Sequence, residues 1–106
     1  MSGSPAMKLV QSLVERRGIL MFSKTYCGFC TKVKRIFQNI GVHDAEILEL
    51  DERDDGDEIQ SALLQLTKQR TVPNIFIGGK HIGGCSDIEK MHANGKLISL
   101  IQAARS

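Results

Sequence analysis

Apolar positions return along this chain in two rhythms, one of three and four residues and one of unbroken short runs. Over residues 7–16, Leu9, Val10, Leu13 and Val14 fall on one face of a helix that Gly18 ends. Ile19-Leu20-Met21-Phe22 is a continuous apolar run and predicts a short strand, buried on both sides. Val33, Ile36, Phe37 and Ile40 then predict a helix over Gly28–Asn39, closed by Gly41. A second strand is expected over 45–50, an acidic loop over 51–57, and a third helix over 57–68 with Ile59, Leu63, Leu64 and Leu66. Beyond Pro73, Ile75-Phe76-Ile77 and Lys80-His81-Ile82 flank Gly78-Gly79, which reads as a hairpin. Ser86-Asp87-Ile88-Glu89 reads as a helix start with Ser86 as the cap, and Asn94-Gly95 divides two short helices that carry Met91, Leu97, Leu100 and Ile101.

A βαβ unit followed by a hairpin and terminal helices makes an α/β fold. The expected architecture is thioredoxin-like, a four-stranded mixed sheet flanked by helices. The expected domain is a single one over residues 7–106, and residues 1–6 are set aside as a disordered tail, a cloning scar or the stump of a trimmed targeting sequence.

Composition narrows the class. A chain of 106 residues that is 42% hydrophobic can build a core without disulfides, and a net charge of +2 with 25% charged residues offers no basic patch for nucleic acid. Three cysteines is an odd number, which points to working thiols in a reducing compartment. The run from Ile19 is too short to span a bilayer and no signal peptide precedes it, so no membrane association is expected. The expected location is the cytoplasm, with a mitochondrion or plastid as the alternative if the N-terminus is a trimmed form. The acidic loop lacks the side-chain pattern of a calcium loop and reads as a solvated connection with N-capping aspartates. His43, His81 and His92 lack metal spacing. A zinc site from Cys27, Cys30, Cys85 and His81 would lack the second paired half.

The chemistry concentrates where the first strand hands over to its helix, at Lys24-Thr25-Tyr26-Cys27-Gly28-Phe29-Cys30. The first N–H groups of a helix have no intrahelical partners and carry partial positive charge, so a thiolate there is favoured over a thiol. Cysteines so placed in a Cys-x-x-Cys titrate at about 3.5–7.5 against roughly 8.5 for a free thiol. Cys27, the better exposed, is the expected nucleophile. Cys30, one turn further in, is the expected resolving thiol. Cys85 reads equally as a small buried hydrophobe or as a third redox thiol.

Three segments resemble, in order and at matching distances, those of the dithiol glutaredoxins: Thr25-Tyr26-Cys27-Gly28-Phe29-Cys30, Thr71-Val72-Pro73-Asn74-Ile75-Phe76-Ile77-Gly78 and Ile82-Gly83-Gly84-Cys85-Ser86-Asp87. The resemblance implies a glutathione-dependent thiol–disulfide oxidoreductase. It implies a cis Pro73 opposite Cys27, with the Val72 backbone pairing to the cysteinyl unit of glutathione. Ser86 and Asp87, with Gly83 and Gly84 letting the backbone approach, would hold the γ-glutamyl end. Lys24, Gln60 and Arg70 would surround the glycyl carboxylate, and Tyr26, Thr71 and Cys85 complete the implied glutathione site.

The implied cycle passes through a glutathionylated Cys27 and a redox-active Cys27–Cys30 disulfide, acting on glutathionylated or disulfide-containing proteins. The chain departs from the family's commonest active-site sequence at Gly28 and Phe29, where Pro and Tyr are usual. Small residues after the first cysteine are associated in the family with a [2Fe–2S] cluster held between two subunits by Cys27 of each and two glutathiones. The alternative reading is therefore a cluster-binding carrier or sensor, a cluster-bridged homodimer rather than a monomer. The retained Cys30, which a carrier does not need, favours the enzyme.

Overall fold

The computed structural model describes residues 3–105. The elements run α1 (Pro5–Glu15), β1 (Ile19–Ser23), α2 (Gly28–Asn39), β2 (Glu46–Glu49), a 3-10 turn (Leu50–Glu52), α3 (Gly56–Thr67), β3 (Asn74–Ile77), β4 (Lys80–Gly83), α4 (Cys85–Ala93) and α5 (Lys96–Ala104). The sheet order is β2-β1-β3-β4. β1 and β2 are parallel, with α2 as the crossover that a parallel pair requires, and Met21 lies opposite Ile47. The pairs β1–β3 and β3–β4 are antiparallel, with Met21 opposite Ile75 and Phe76 opposite His81. This is the mixed, thioredoxin-like sheet that the pattern predicts.

Every residue of β1 is buried because both faces of the sheet are covered. Leu20 and Phe22 point to one side, into a core with Val10 and Leu13 of α1, Ile59 and Leu63 of α3, and Phe76. Ile19 and Met21 point to the other, into a core with Cys30, Val33 and Phe37 of α2, Ile88 of α4, and Leu97 and Ile101 of α5. Phe22 and Phe76 meet edge to face at 6.2 Å between ring centroids.

Several boundaries differ from the sequence reading, each for a local reason. α1 starts at Pro5: Ser4 Oγ accepts the Met7 N–H at 3.0 Å, and proline suits a first helical position whose N–H would go unused. Ala6 is buried against the core, so residues 4–6, set aside as tail, belong to the folded helix. Met1 and Ser2 lie outside the described residues. β2 is shorter than 45–50 because the chain turns at Leu50, whose carbonyl oxygen would stand 2.1 Å from a Cβ at Gly56. That approach also starts α3 at Gly56, one residue early.

The expected aspartate caps are not made. Asp55 occupies the N-cap of α3 without a side-chain cap bond and is held instead by Arg53 at 2.8 and 3.1 Å. Ser86 does not cap α4 either. Gly83 turns the chain at φ 124°, Gly84 becomes the N-cap, and its N–H donates to Asp87 Oδ2 at 2.9 Å.

Candidate active site

Cys27 is the N-cap of α2, because the chain leaves β1 in extended conformation and becomes helical at Gly28. Its sulfur accepts the Cys30 N–H at 3.4 Å, so one of the unpaired donors of the first turn is already aimed at it. Cys27 is half-buried and Cys30 wholly buried, in the core beside Val33. Burial, and then the hydrogen bond with Cys27, push the Cys30 thiol up to about 11. Cys27 is thus the accessible sulfur of the pair, and Cys30 is a thiol kept protonated behind it.

The Cys27 S–H points across to the Val72 carbonyl oxygen, 3.8 Å away. Val72–Pro73 is a cis peptide, as the resemblance implies. Gln69 braces this loop, its Nε2 donating to the carbonyl oxygens of Thr71 and Pro73 at 3.1 and 3.0 Å. Asn74, fully buried, donates to the Gln69 carbonyl at 3.4 Å and its Oδ1 meets His81 Nε2 at 2.9 Å. Burial lowers the His81 pKa, against a smaller opposing pull from Asp87.

Between this loop and the start of α4 runs an open groove of about 520 Å³, lined by Phe29, Gln69, Thr71, Val72, Pro73, Gly84, Cys85, Ser86 and Asp87. Seven residues implied by the resemblance (Thr71, Val72, Pro73, Gly84, Cys85, Ser86 and Asp87) therefore share one wall system. Cys85 is buried, which raises its thiol pKa.

The chain matches the glutaredoxin family model over residues 19–82. It is 48% identical to a glutaredoxin of Vernicia fordii over 93% of this chain and 94% of that relative, and 46% identical to glutaredoxin-C2 of Arabidopsis thaliana over 93% and 88%. The chain belongs to the glutaredoxin family. Its backbone superposes on the holo form of glutaredoxin C1 from Populus tremula x tremuloides with a TM-score of 0.90, at 42% identity over 95% of this chain and 99% of that one. It superposes on a buckwheat glutaredoxin–glutathione complex with a TM-score of 0.89, at 49% identity over 93% and 89%. This glutaredoxin is accordingly a thiol oxidoreductase with a thioredoxin-like fold.

Lys24, Tyr26, Gln60 and Arg70, also implied for this glutaredoxin, are not among the residues that line the groove. Gln60 is buried, and its Nε2 donates to the Arg70 carbonyl at 3.0 Å, so its amide braces the backbone entering the loop. The Arg70 guanidinium is exposed and donates to Ser61 Oγ at 3.2 Å. The Lys24 ammonium lies 5.9 Å from the centroid of the Tyr26 ring.

Three contributors went unassigned in the sequence reading of this glutaredoxin. Gln69 carries no periodic signal, since its role depends on carbonyls that only the folded loop brings together. Phe29, 63% exposed, lines the groove, where the sequence shows only a departure from the usual Tyr. Asp51 belongs to an acidic run that reads as a solvated connection, yet its Oδ1 accepts the Thr25 N–H at 2.9 Å and its Oδ2 the Thr25 hydroxyl, fixing the turn before Cys27.

Among the described residues no group of three or more His, Cys, Asp or Glu side chains is placed to hold a metal ion. Cys27 is the only half-exposed thiol of the three, so one chain of this glutaredoxin does not form a ligand set for a [2Fe–2S] cluster. Nor do Cys27, Cys30, Cys85 and His81 form a zinc site. Among the described residues no helix is long and apolar enough to cross a membrane.

Proposed function

We propose that this glutaredoxin uses glutathione to reduce protein–glutathione mixed disulfides and protein disulfides through Cys27 and Cys30. The observation that carries the reading is the unequal pair at the head of α2. A half-exposed sulfur receives a helix N–H and faces the groove loop, while its partner is buried with a thiol pushed up to about 11.

The groove suits the tripeptide chemically. Glutathione has a carboxylate and an amine at its γ-glutamyl end, and the start of α4 offers backbone N–H groups beside the Asp87 carboxylate. Its cysteinyl unit is a short extended peptide that pairs with the exposed backbone of Val72, like an added strand. Lys24 and Arg70 supply cations for the glycyl carboxylate on the other side of Cys27. The buckwheat glutaredoxin crystallised with glutathione lends support, since its fold and much of its sequence are shared.

In the cycle, Cys27 thiolate attacks the glutathione sulfur of the mixed disulfide, and the protein thiolate leaves and takes up a proton. A second glutathione thiolate then attacks the glutathione sulfur on Cys27, releasing oxidised glutathione. With protein disulfides, Cys30 closes the Cys27–Cys30 disulfide, which two glutathiones reopen. An assay with glutathione, glutathione reductase and a glutathionylated protein tests the reading. Cys27→Ser abolishes turnover and Cys30→Ser keeps deglutathionylation; the reverse pattern overturns the assignment.

A further inference from the structure

The two walls of the groove grow from one hairpin. Val72 and Pro73 lead straight into β3, which begins at Asn74, and β4 leads through Gly83 to Gly84 and the head of α4. The ladder between these strands is irregular at that end: Phe76 pairs with His81 and Ile75 with Gly83, so Ile82 is an extra residue on β4. The backbone ladder therefore leaves the spacing of the two walls loosely set. A side-chain bond spans the gap. Asn74 and Phe76 share one face of β3 by strand alternation. The His81 ring, opposite Phe76, packs on it at 5.2 Å between centroids and reaches diagonally to Asn74 Oδ1 at 2.9 Å.

That contact has one polarity. Asn74 is fully buried, and its Nδ2 donates to the Gln69 carbonyl at 3.4 Å, which leaves Oδ1 facing the imidazole. An amide oxygen only accepts, so His81 Nε2 carries the proton. Asn74 thereby closes the base of the loop that holds Val72 opposite Cys27, and His81 fastens that base to the strand feeding the other wall. We propose that His81 is a positioning residue for glutathione. Its Nε2–H bond to Asn74 fixes the distance between the wall that meets the cysteinyl unit and the wall that meets the γ-glutamyl end. The inference rests on the function proposed above, whose cycle gives His81 no part.

The bond and its effect are read separately. At mildly alkaline pH the imidazole nitrogen NMR signals are expected to show His81 as the Nε2–H tautomer; an Nδ1–H tautomer overturns the proposal. Two variants then divide the ring from the donor. His81→Phe keeps an aromatic ring against Phe76 and loses the donor. Its KM for a glutathionylated protein is expected to rise about 3- to 10-fold, the worth of one net hydrogen bond, with kcat little changed. His81→Gln places an amide N–H near the same point and is expected to recover most of that rise. Alkylation of Cys27 by iodoacetamide, which does not use the groove, is expected to run at the parent's rate in both, which a general loosening of the site would not allow. His81→Leu, also without a donor, takes the place of His81→Phe if thermal unfolding shows the latter unfolded. An unchanged KM in the variant without a donor overturns the proposal, as does an equal rise in His81→Gln or a matching loss of Cys27 alkylation. A parent chain that turns over no glutathionylated protein sinks the functional reading itself, an outcome distinct from an active parent whose variants match it.

Discussion

Gln69 Nε2 donates to the Pro73 carbonyl oxygen at 3.0 Å, and by this bond one side chain ties the end of the α3 connection to the floor of the groove. The same amide nitrogen holds Thr71 at 3.1 Å, so the loop carrying Val72 opposite Cys27 is braced on both sides of its bend.

Gln69→Leu removes both donors while filling similar space. Thr71 is exposed and its carbonyl can turn to water, whereas Pro73 is buried. The expected stability cost is therefore that of one unmet buried acceptor, about 1–3 kcal/mol by denaturant unfolding. KM for a glutathionylated substrate is expected to rise several-fold, more than kcat falls. An unchanged KM would show that the loop keeps its shape without the brace.

Gly83 sits at φ 124°, where side chains are strained, and a Cβ there would lie 2.2 Å from Asp87 Oδ2. Gly83→Ala is expected to push the Asp87 carboxylate off the Gly84 N–H, uncapping α4 and deforming the groove at once. Asp87→Asn separates the two effects, because its carbonyl oxygen still accepts from Gly84 while the charge proposed to meet the glutathione amine is gone. The alanine variant is expected to lower the unfolding midpoint and weaken glutathione; the asparagine variant is expected only to weaken it. Equal midpoints for Gly83→Ala and the parent would contradict the close contact.

Cys30 gives a pH dependence with a definite sign. Burial raises its pKa from the ordinary 9.0 to about 11, so the folded chain holds this proton more tightly than the unfolded chain. Its contribution to stability is whole below pH 9.0 and is lost as pH climbs toward about 11. The urea midpoint of the parent is expected to fall across that window more steeply than that of Cys30→Ser, which has no proton to lose there. At neutral pH, limiting iodoacetamide is expected to label Cys27 and spare Cys30. Parallel midpoint curves for parent and variant would remove the buried thiol from the explanation.

Much of this was legible in the chain because it depends on neighbours in sequence. The run Ile19-Leu20-Met21-Phe22 is apolar throughout since both faces of β1 are covered, and the three- and four-residue spacing of Val33, Ile36 and Phe37 gives α2 its bounds. Cys27 at the head of that helix follows from the same pattern. What stayed hidden depends on residues far apart or on backbone turns. Ser86 is a good cap by residue type, yet Gly83 bends the chain so that Gly84 takes the place. Ser4-Pro5 is a helix start by type as well, but it stands next to the chain end, where the apolar spacing that marks α1 has not yet begun. Gln60 matches the resemblance at a carboxylate subsite, and its amide also donates to the Arg70 carbonyl, a contact no periodicity reports.

Asp51 and Thr25 are 26 positions apart and show the same limit at the site itself. Thr25 holds the Asp51 carboxyl below the usual range through its hydroxyl and its N–H, so the carboxylate is the form that fixes the turn. A folded pKa lowered from 3.8 means the bond is in place above that value and is lost as pH falls through the lower folded one, well away from neutral pH. The pair is exposed, so its removal is expected to act on positioning more than on global stability. Asp51→Ala is expected to free the turn from Lys24 to Tyr26, lowering kcat/KM and the alkylation rate of Cys27 together while the unfolding midpoint stays close to the parent's. Asp51→Asn, which keeps an acceptor for the Thr25 N–H, is expected to fall between. If Asp51→Ala alkylates and turns over at the parent's rates, the turn is held by its own backbone and the carboxylate is a surface charge.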